Sequence, residues 1–185
     1  MPKPKGYNRI ELPPHEYLNS PDTLPYFFKV SKLARINQDS SWVAMNRIKE
    51  KISPKIQLIK EKYWIDISYD TLGANIEITY KEINNRNDLM KAYLNDAYRL
   101  TSEHQVKAYS IDESIIRTAN GYTASFVELK GEVPTQIQFV MTDSVQHFLR
   151  GALYFKTATM NDSLAPVINY LKVDILHFLN TLHWK

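Results

Sequence analysis

Asp143, Ser144 and His147 place a carboxylate, a hydroxyl and an imidazole within five residues of one another. An activated nucleophile is built from such groups, so they would support a hydrolase. A catalytic triad, however, is usually assembled from distant segments, and no G-x-S-x-G elbow is present. Asp and Ser after Thr142 are also typical of a turn in which side chains bond local backbone groups. We therefore favour a turn between two strands over a catalytic site.

Arg150 stands in the apolar run of residues 147–155, next to Gly151. A charge in a strand that is buried on both faces must find a partner or reach the surface. The glycine permits a bulge or the close approach of another backbone. We favour pairing with an internal carboxylate over contact with a functional anion. Arg150 completes the polar cluster that the sequence offers as functional or structural residues: Asp143, Ser144, His147 and Arg150.

Two further pairs of polar residues are acid–base candidates. Glu103 with His104, and Asp112 with Glu113, could act together if they shared a cleft. Adjacent charges at a helix end or on a loop are usually solvated, and we favour that interpretation. The five histidines show no metal-ligand spacing, and the five glycines form neither G-x-G-x-x-G nor a P-loop. The sequence therefore predicts no catalytic residue, no metal site and no cofactor.

Charge and composition narrow the class of function. Lysine and arginine outnumber aspartate and glutamate by 23 to 20, an excess that Lys3, Lys5 and Arg9 account for. The remaining chain lacks the clustered cations that phosphate contacts need, so we predict no nucleic-acid partner. The absence of cysteine excludes disulfides, thiolate zinc sites and cysteine nucleophiles. The apolar runs are too short to cross a bilayer.

The first 25 residues differ in composition from the rest, since they contain six of the nine prolines. Proline fixes φ and lacks a backbone donor, so residues 1–25 are predicted to form an extended tether or a strap laid over the domain. Ile10, Leu12 and Tyr17 could dock this segment. Residues 26–185 are predicted to form a single α+β domain.

Period-two alternation predicts a β-hairpin of residues 63–69 and 75–80, with one face buried and one wet. Asn120-Gly121 is a strong turn signal. The run 147–155 is apolar on both faces and is therefore expected to be a central strand. Residues 39–60 show no clear pattern. The other expected strands are residues 26–30, 108–117, 122–130 and 135–141.

Helical periodicity predicts two helices. Apolar residues from about Asn85 to His104 fall on one face of an amphipathic helix. Residues 161–182 form a wide apolar stripe, with Pro166 expected in the first turn of that helix. The order of elements implies a largely antiparallel sheet flanked by helices, which is an α+β fold.

Three parts of the sequence resemble the gliding-motility lipoprotein GldD family of Bacteroidetes-type bacteria. They are the run from Asp143 to Phe155, the segment from Asp162 to Ile168, and the ending His183-Trp184-Lys185. The opening is similar to the start of the family's mature domain, through Pro4-Lys5-Gly6-Tyr7, Arg9-Ile10, Leu12-Pro13 and Pro25-Tyr26. The resemblance covers nearly the whole chain.

The resemblance implies an exported protein, lipidated on an N-terminal cysteine, anchored to a membrane of the cell envelope and facing the periplasm. It also implies a part in gliding motility and the associated type IX secretion. A signal peptide and a lipidated cysteine are absent here, and a chain trimmed just after that cysteine would explain the lack of cysteine, the proline-rich start and Met1 together. The family brings no assigned catalytic residues. The order of elements is also similar to the Mog1/PsbP-type fold, an α/β/α sandwich.

Three hypotheses about function follow. The leading one is a membrane-anchored accessory or assembly factor, not an enzyme, that binds other envelope proteins of gliding motility and type IX secretion. The alternative is a hydrolase or other enzyme acting on envelope polymers, through the residues of the polar cluster or through Glu103 and His104. The second alternative is a small-ligand carrier with an apolar pocket beneath one of the helices.

Overall fold

The computed structural model describes residues 11–38, 63–105, 107–156 and 161–185. The prediction for 39–60 and the docking of Ile10 lie outside these residues. The strands are β1 (Tyr17–Asn19), β2 (Tyr26–Phe27), β3 (Lys29–Ser31), β4 (Arg35–Asn37), β5 (Ile65–Tyr69), β6 (Ala74–Glu82), β7 (Ala108–Arg117), β8 (Thr123–Gly131), β9 (Thr135–Thr142), β10 (His147–Phe155) and β11 (His183–Trp184). The helices are α1 (Asn87–Gln105) and α2 (Asn161–Thr181).

A seven-stranded sheet organises the molecule, with the strand order β4-β5-β6-β10-β9-β8-β7. Neighbouring strands pair antiparallel throughout. The α+β class is therefore confirmed. Strand β10 lies fourth of the seven, as its apolar residues on both faces predict. Two short pairs, β1 with β3 and β2 with β11, complete the described strands.

The hairpin predicted from alternation is present as β5 and β6. Ile65 pairs with Ile78, and a 3₁₀ turn at Asp70–Leu72 joins the strands. Gly73 closes that turn with φ of 62°, a conformation that glycine adopts without strain.

The expectation that one face of this hairpin is wet is wrong, because Ser68, Asn75 and Thr79 are buried. Asn75 Nδ2 donates to Asp66 Oδ1 at 2.8 Å, and Ser68 Oγ donates to Asp66 Oδ2 at 2.9 Å. Polar side chains that hydrogen-bond to one another can be buried at little cost. Alternation of polar and apolar residues therefore marks two faces here, both of them covered.

Helix α2 covers one face of the sheet and forms the main core. Its apolar stripe packs against Phe139 and Phe126, among others, and includes the buried residues Val167, Leu171, Ile175, Phe178 and Leu179. Pro166 lies in the second turn and not in the first as predicted, because the helix begins at Asn161. In the parts of the chain that the structure describes, no helix is long and apolar enough to cross a membrane.

Helix α1 lies on the opposite face, so the sheet is covered on both sides. The apolar contacts on this face form two small clusters: one is centred on Ile83, Ala97 and Phe148, and the other on Val127, Leu129 and Val133. Among the described residues the core under α1 is thus divided in two, and polar side chains of the sheet such as Gln138 are also buried on this face.

The first strand was expected at residues 26–30, and this is wrong. Strand β1 precedes that segment, and the segment itself is divided into β2 and β3. The division falls at Phe28, whose backbone N–H donates to Ser20 Oγ at 3.1 Å. The hydroxyl of Ser20 accepts the N–H that would otherwise donate to a neighbouring strand. The alternation of polar and apolar residues within 26–30 does not reveal such a contact.

Candidate functional site

The turn between β9 and β10 is built around the carboxylate of Asp143. Asp143 Oδ1 accepts the backbone N–H groups of Val145, Gln146 and His147 at 2.8 to 2.9 Å. Burial opposes ionisation, but these three hydrogen bonds outweigh it and lower the pKa of Asp143. Ser144 has φ of 63°, and its N–H donates to Thr142 Oγ1. The carboxylate and the serine thus shape the turn.

His147 faces the main core from the start of β10. Its Nδ1 lies 2.6 Å from Tyr80 Oη, and its ring stacks on Trp184 with centroids 4.7 Å apart. Burial and the nearby carboxylates of Glu82 and Asp143 raise the pKa of Tyr80 to about 12, so the phenol stays protonated. His147 Nε2 lies 3.9 Å from Asp143 Oδ2, beyond hydrogen-bond distance.

Arg150 lies on the opposite face of the sheet from His147, since side chains alternate along a strand. It is buried and donates to Gln138 Oε1 at 2.9 Å. The structure therefore brings Asp143, Ser144 and His147 together and separates Arg150 from them. Among the described residues, no hydrogen bond joins Ser144 to His147.

The remaining acid–base candidates do not converge in the part of the chain that the structure describes. Glu103 pairs with Arg99 at 2.8 Å on the exposed side of α1, and the side chain of His104 lies outside the described residues. Asp112 and Glu113 are exposed and point to opposite faces of β7. Within the same ranges, no group of three or more His, Asp or Glu could hold a metal ion.

A polar cluster around Asp174 was not predicted. This carboxylate is buried in α2 and lies 2.7 Å from His15 Nδ1, and it accepts the hydroxyls of Tyr17 and Tyr69 at 3.0 Å each. The ring of Tyr17 stacks on His177 with centroids 3.6 Å apart. Residues 15–17 are thereby held against α2.

The electrostatics of this cluster keep its phenols protonated. Burial first, and the charge of Asp174 second, raise the pKa of Tyr17 and Tyr69, so both donate to the carboxylate. Burial lowers the pKa of His177, and Lys29 lowers it further. One sequence signal was available, since Asp174 interrupts the apolar stripe of α2 at a position where only a partnered carboxylate can be buried.

A cleft of about 340 Å³ lies between α1 and the sheet, and we call it the α1 cleft. Leu94, Ala97, Tyr98 and Thr101 of α1 form its roof. Its floor crosses four strands, because Arg150 pairs with Val140, Gln138 on the same strand as Val140 pairs with Val127, and Val127 pairs with Glu113. Arg150 at one end is buried and Glu113 at the other is exposed, so the cleft opens towards β7.

Strand β7 lies at the edge of the sheet and pairs only with β8 within the described strands. Large apolar side chains are exposed along it: Tyr109 is 74%, Ile111 43% and Ile115 69% exposed. Tyr98 of the adjacent helix α1 is 61% exposed. We call these four residues with Glu113 the β7 edge. Exposed apolar groups beside a strand edge are characteristic of interaction surfaces.

Comparison with known proteins identifies the family. A family model described as gliding motility lipoprotein GldD matches residues 1–184, essentially the whole chain. The chain belongs to the GldD family. A comparison with curated proteins gave no match.

Membership of the GldD family associates the chain with gliding motility and with membrane-anchored envelope lipoproteins. Two of the segments that carry the resemblance meet in the structure, where His147 stacks on Trp184 and β11 pairs with β2. In this GldD-family chain these segments hold the fold together. Arg150 of the run from Asp143 to Phe155 also lines the α1 cleft, whereas the exposed residues of the β7 edge lie outside the resembling segments.

Proposed function

We propose that this GldD-family protein serves gliding motility and the associated type IX secretion as an accessory or assembly factor. It acts by binding other envelope proteins and not by catalysis. In this proposal the folded domain faces the periplasm and is anchored by an N-terminal lipid. The observation that carries the proposal is the exposed β7 edge.

The β7 edge fits an extended segment of a partner protein. A strand added to an exposed sheet edge gains backbone hydrogen bonds, and its alternate side chains give specificity. Ile111, Glu113 and Ile115 alternate on the side of β7 that faces α1, in an apolar, acidic, apolar row. A partner strand carrying a basic residue between two apolar residues would complement this row, since opposite charges across a strand pair are favourable.

The geometry of the β9–β10 turn gives less support to the hydrolase alternative. A nucleophile needs a base within hydrogen-bond reach. In the described part of the chain Ser144 makes no hydrogen bond to His147, while Asp143 Oδ1 is occupied by three backbone N–H groups. These contacts favour a binding role for the protein over hydrolysis at this turn.

An Ile115→Lys substitution in the full-length lipoprotein tests the proposal in a gliding bacterium whose natural copy is deleted. Val173→Lys is the matched control, since Val173 is also an exposed aliphatic residue but lies on α2. We expect both variants to reach the membrane fraction and to unfold at the temperature of the unmodified protein.

With Ile115→Lys, cells should lose gliding, and recovery of crosslinked motility or secretion proteins should fall at least tenfold. With Val173→Lys both should be retained. Normal gliding and normal recovery of these proteins with Ile115→Lys would refute the proposed surface.

A further inference from the structure

Strand β7 presents its open edge to a second copy of the same chain as well as to other proteins. Unpaired backbone groups along a strand invite pairing with an identical edge, and natural proteins oppose this with bulges and charged residues. Both devices are present on β7. Its register with β8 shifts between Ala108 and Ser110, and the carboxylates of Asp112 and Glu113 are exposed in its middle.

Symmetry limits the ways in which two β7 strands can pair. Residues 110–117 pair with β8 in one regular register, so their side chains alternate between the two faces of the sheet. In a symmetric antiparallel pair, residue i of one copy opposes residue j of the other, and j opposes i. Opposed residues share a face, so one residue at the centre must oppose itself. Over nearly the whole of 110–117 that residue is either Glu113 or Ser114.

The register centred on Glu113 matches the apolar side chains of the edge. Ile111 of each copy opposes Ile115 of the other, on the side of β7 that faces α1. Glu113, however, directly opposes Glu113 of the second copy. The Cβ atoms of directly opposed residues lie about 4.5 to 5.5 Å apart, and like charges at that distance destabilise the pair. One pair of carboxylates therefore opposes an otherwise complementary contact.

The register centred on Ser114 makes no apolar match. In this register Glu113 opposes Ile115, and Asp112 opposes Ile116. Ile111 opposes the exposed Arg117, so each isoleucine of the regular span meets a charged residue. Larger shifts of register shorten the overlap of the two strands. Glu113 thus lies at the centre of the register in which two copies of β7 fit each other best.

We propose that Glu113 sets the specificity of the β7 edge by excluding a second copy of this chain, an inference that rests on β7 being the open edge of the proposed function. The same carboxylate attracts a different strand that carries a basic residue at the opposed position. Specificity is the difference between these two affinities, and repulsion of the wrong partner contributes to it as much as attraction of the right one. The unmodified chain is therefore expected to be a monomer.

Sedimentation velocity of the purified whole chain tests the proposal. Glu113→Gln removes the charge and keeps the size of the side chain, so this variant should dimerise at least tenfold more tightly than the unmodified chain. Asp112→Asn is the matched control, because Asp112 is the adjacent exposed carboxylate and would oppose Ser114 in the Glu113-centred register. It should remain a monomer. Adding Ile115→Lys to Glu113→Gln should restore the monomer by removing the apolar match.

Reversal of the charge separates this pairing from general aggregation. Glu113→Lys alone should remain a monomer, since the introduced lysine opposes its own copy. Mixed with the unmodified chain it should form a one-to-one dimer, because that lysine then opposes Glu113. A dimer of the unmodified chain, no dimer of Glu113→Gln, equal dimerisation of Asp112→Asn, or no dimer in the mixture would each overturn the proposal.

Failure of this proposal can be distinguished from failure of the proposed function. The sedimentation measurements contain no other protein, so they report only on pairing between copies of this chain. The effect of Ile115→Lys on gliding and on crosslinked proteins reports only on the partner. A monomeric Glu113→Gln variant together with loss of gliding in Ile115→Lys would overturn the role of Glu113 and leave the β7 edge as the partner surface.

Discussion

At the residue scale, the β9–β10 turn depends on one carboxylate. Asp143 Oδ1 is the common acceptor of three consecutive backbone N–H groups, and these would otherwise lose their partner. Ser144 beside it adopts a left-handed conformation that most side chains disfavour. Each of these two residues makes a separate prediction about stability.

Asp143→Ala is expected to lower the free energy of unfolding by about 1.5 to 3 kcal/mol, the usual value for hydrogen bonds to a charged acceptor. Ser144→Gly should be tolerated, since glycine accepts the positive φ. Chemical denaturation of the two variants measures both effects. A large loss for Ser144→Gly, or none for Asp143→Ala, would contradict this account of the turn.

The pH dependence of stability tests the Asp174 cluster. Burial and Lys29 hold the pKa of His177 below its ordinary value, so the unfolded chain binds this proton more readily than the folded chain. The contribution of His177 is therefore present above about pH 6.5 and is lost as the pH falls through the lowered value.

Thermal melts at about pH 7.5 and about pH 5.5 should accordingly show a lower midpoint at the lower pH. The difference between the two midpoints should shrink in His177→Gln. Asp174 and His15 also face this ring and remain in the variant, so a comparison of the two proteins isolates the effect of the His177 imidazole. An unchanged difference in His177→Gln would contradict the assignment.

Residue types predicted the turn but not the Asp174 cluster. Asp143 and its three donors lie within four positions of one another, so local chemistry was sufficient. Asp174 meets Tyr69 across 105 positions and His15 across 159. Contacts of that separation depend on how α2 docks on the sheet, which one sequence does not state.

At the element scale, Gly151 sets the packing of β10 against β9. It pairs with Phe139, whose ring lies across the glycine, and an added Cβ would overlap that ring. Neither a bulge nor a left-handed turn requires this glycine, since the register shift of β10 falls between Leu153 and Tyr154. The close approach of an aromatic side chain requires it.

Gly151→Ala should therefore destabilise the protein by at least about 2 kcal/mol through overpacking. Phe139→Leu alone should also destabilise it, because it leaves a cavity. The double variant should be more stable than the sum of the two losses predicts, since the smaller side chain makes room for the added methyl group. If the stability losses of the two single variants simply add in the double variant, measured by denaturation, then contact with Phe139 is not the reason for a glycine at position 151.

Period-two and helical patterns of apolar residues predicted the regular strands and helices, in which one face is buried along the whole element. The hairpin of β5 and β6, the central position of β10 and both helices follow from such patterns. The division of residues 26–30 did not, because the interruption depends on Ser20, eight positions earlier. The buried polar face of the hairpin was also missed, since polar residues that partner one another resemble exposed ones in a sequence.

At the scale of the whole molecule, Asp174 joins residues 15–17 to helix α2. Asp174→Asn should destabilise the protein by about 2 kcal/mol, because the charge that three donors share is lost. It should also increase protease cleavage within residues 11–25. Asp96→Asn, an exposed position on α1, is the matched control. Equal protection of this segment in both variants would contradict its attachment through Asp174.

The family could be predicted from the sequence, whereas the α1 cleft and the β7 edge could not. Where the structure describes them, the segments that resemble the GldD family form mainly turns, core and the C-terminal end, and Arg150 alone of the run from Asp143 to Phe155 is among the residues that line the α1 cleft. The α1 cleft and the β7 edge arise where two separate elements meet, as Tyr98 of α1 and Ile115 of β7 illustrate. Neither residue is distinctive in the sequence, and their exposure together appears only in the fold.

The central claim is that the protein works by binding a partner strand at the β7 edge. The most direct measurement is photocrosslinking in living, gliding cells, with a photoreactive amino acid placed at Ile115 in one strain and at Val173 in another. The account predicts crosslinks from position 115 to an extended segment of a motility or secretion protein, and none from position 173. Absence of crosslinks at 115, or the same products at both positions, would contradict it.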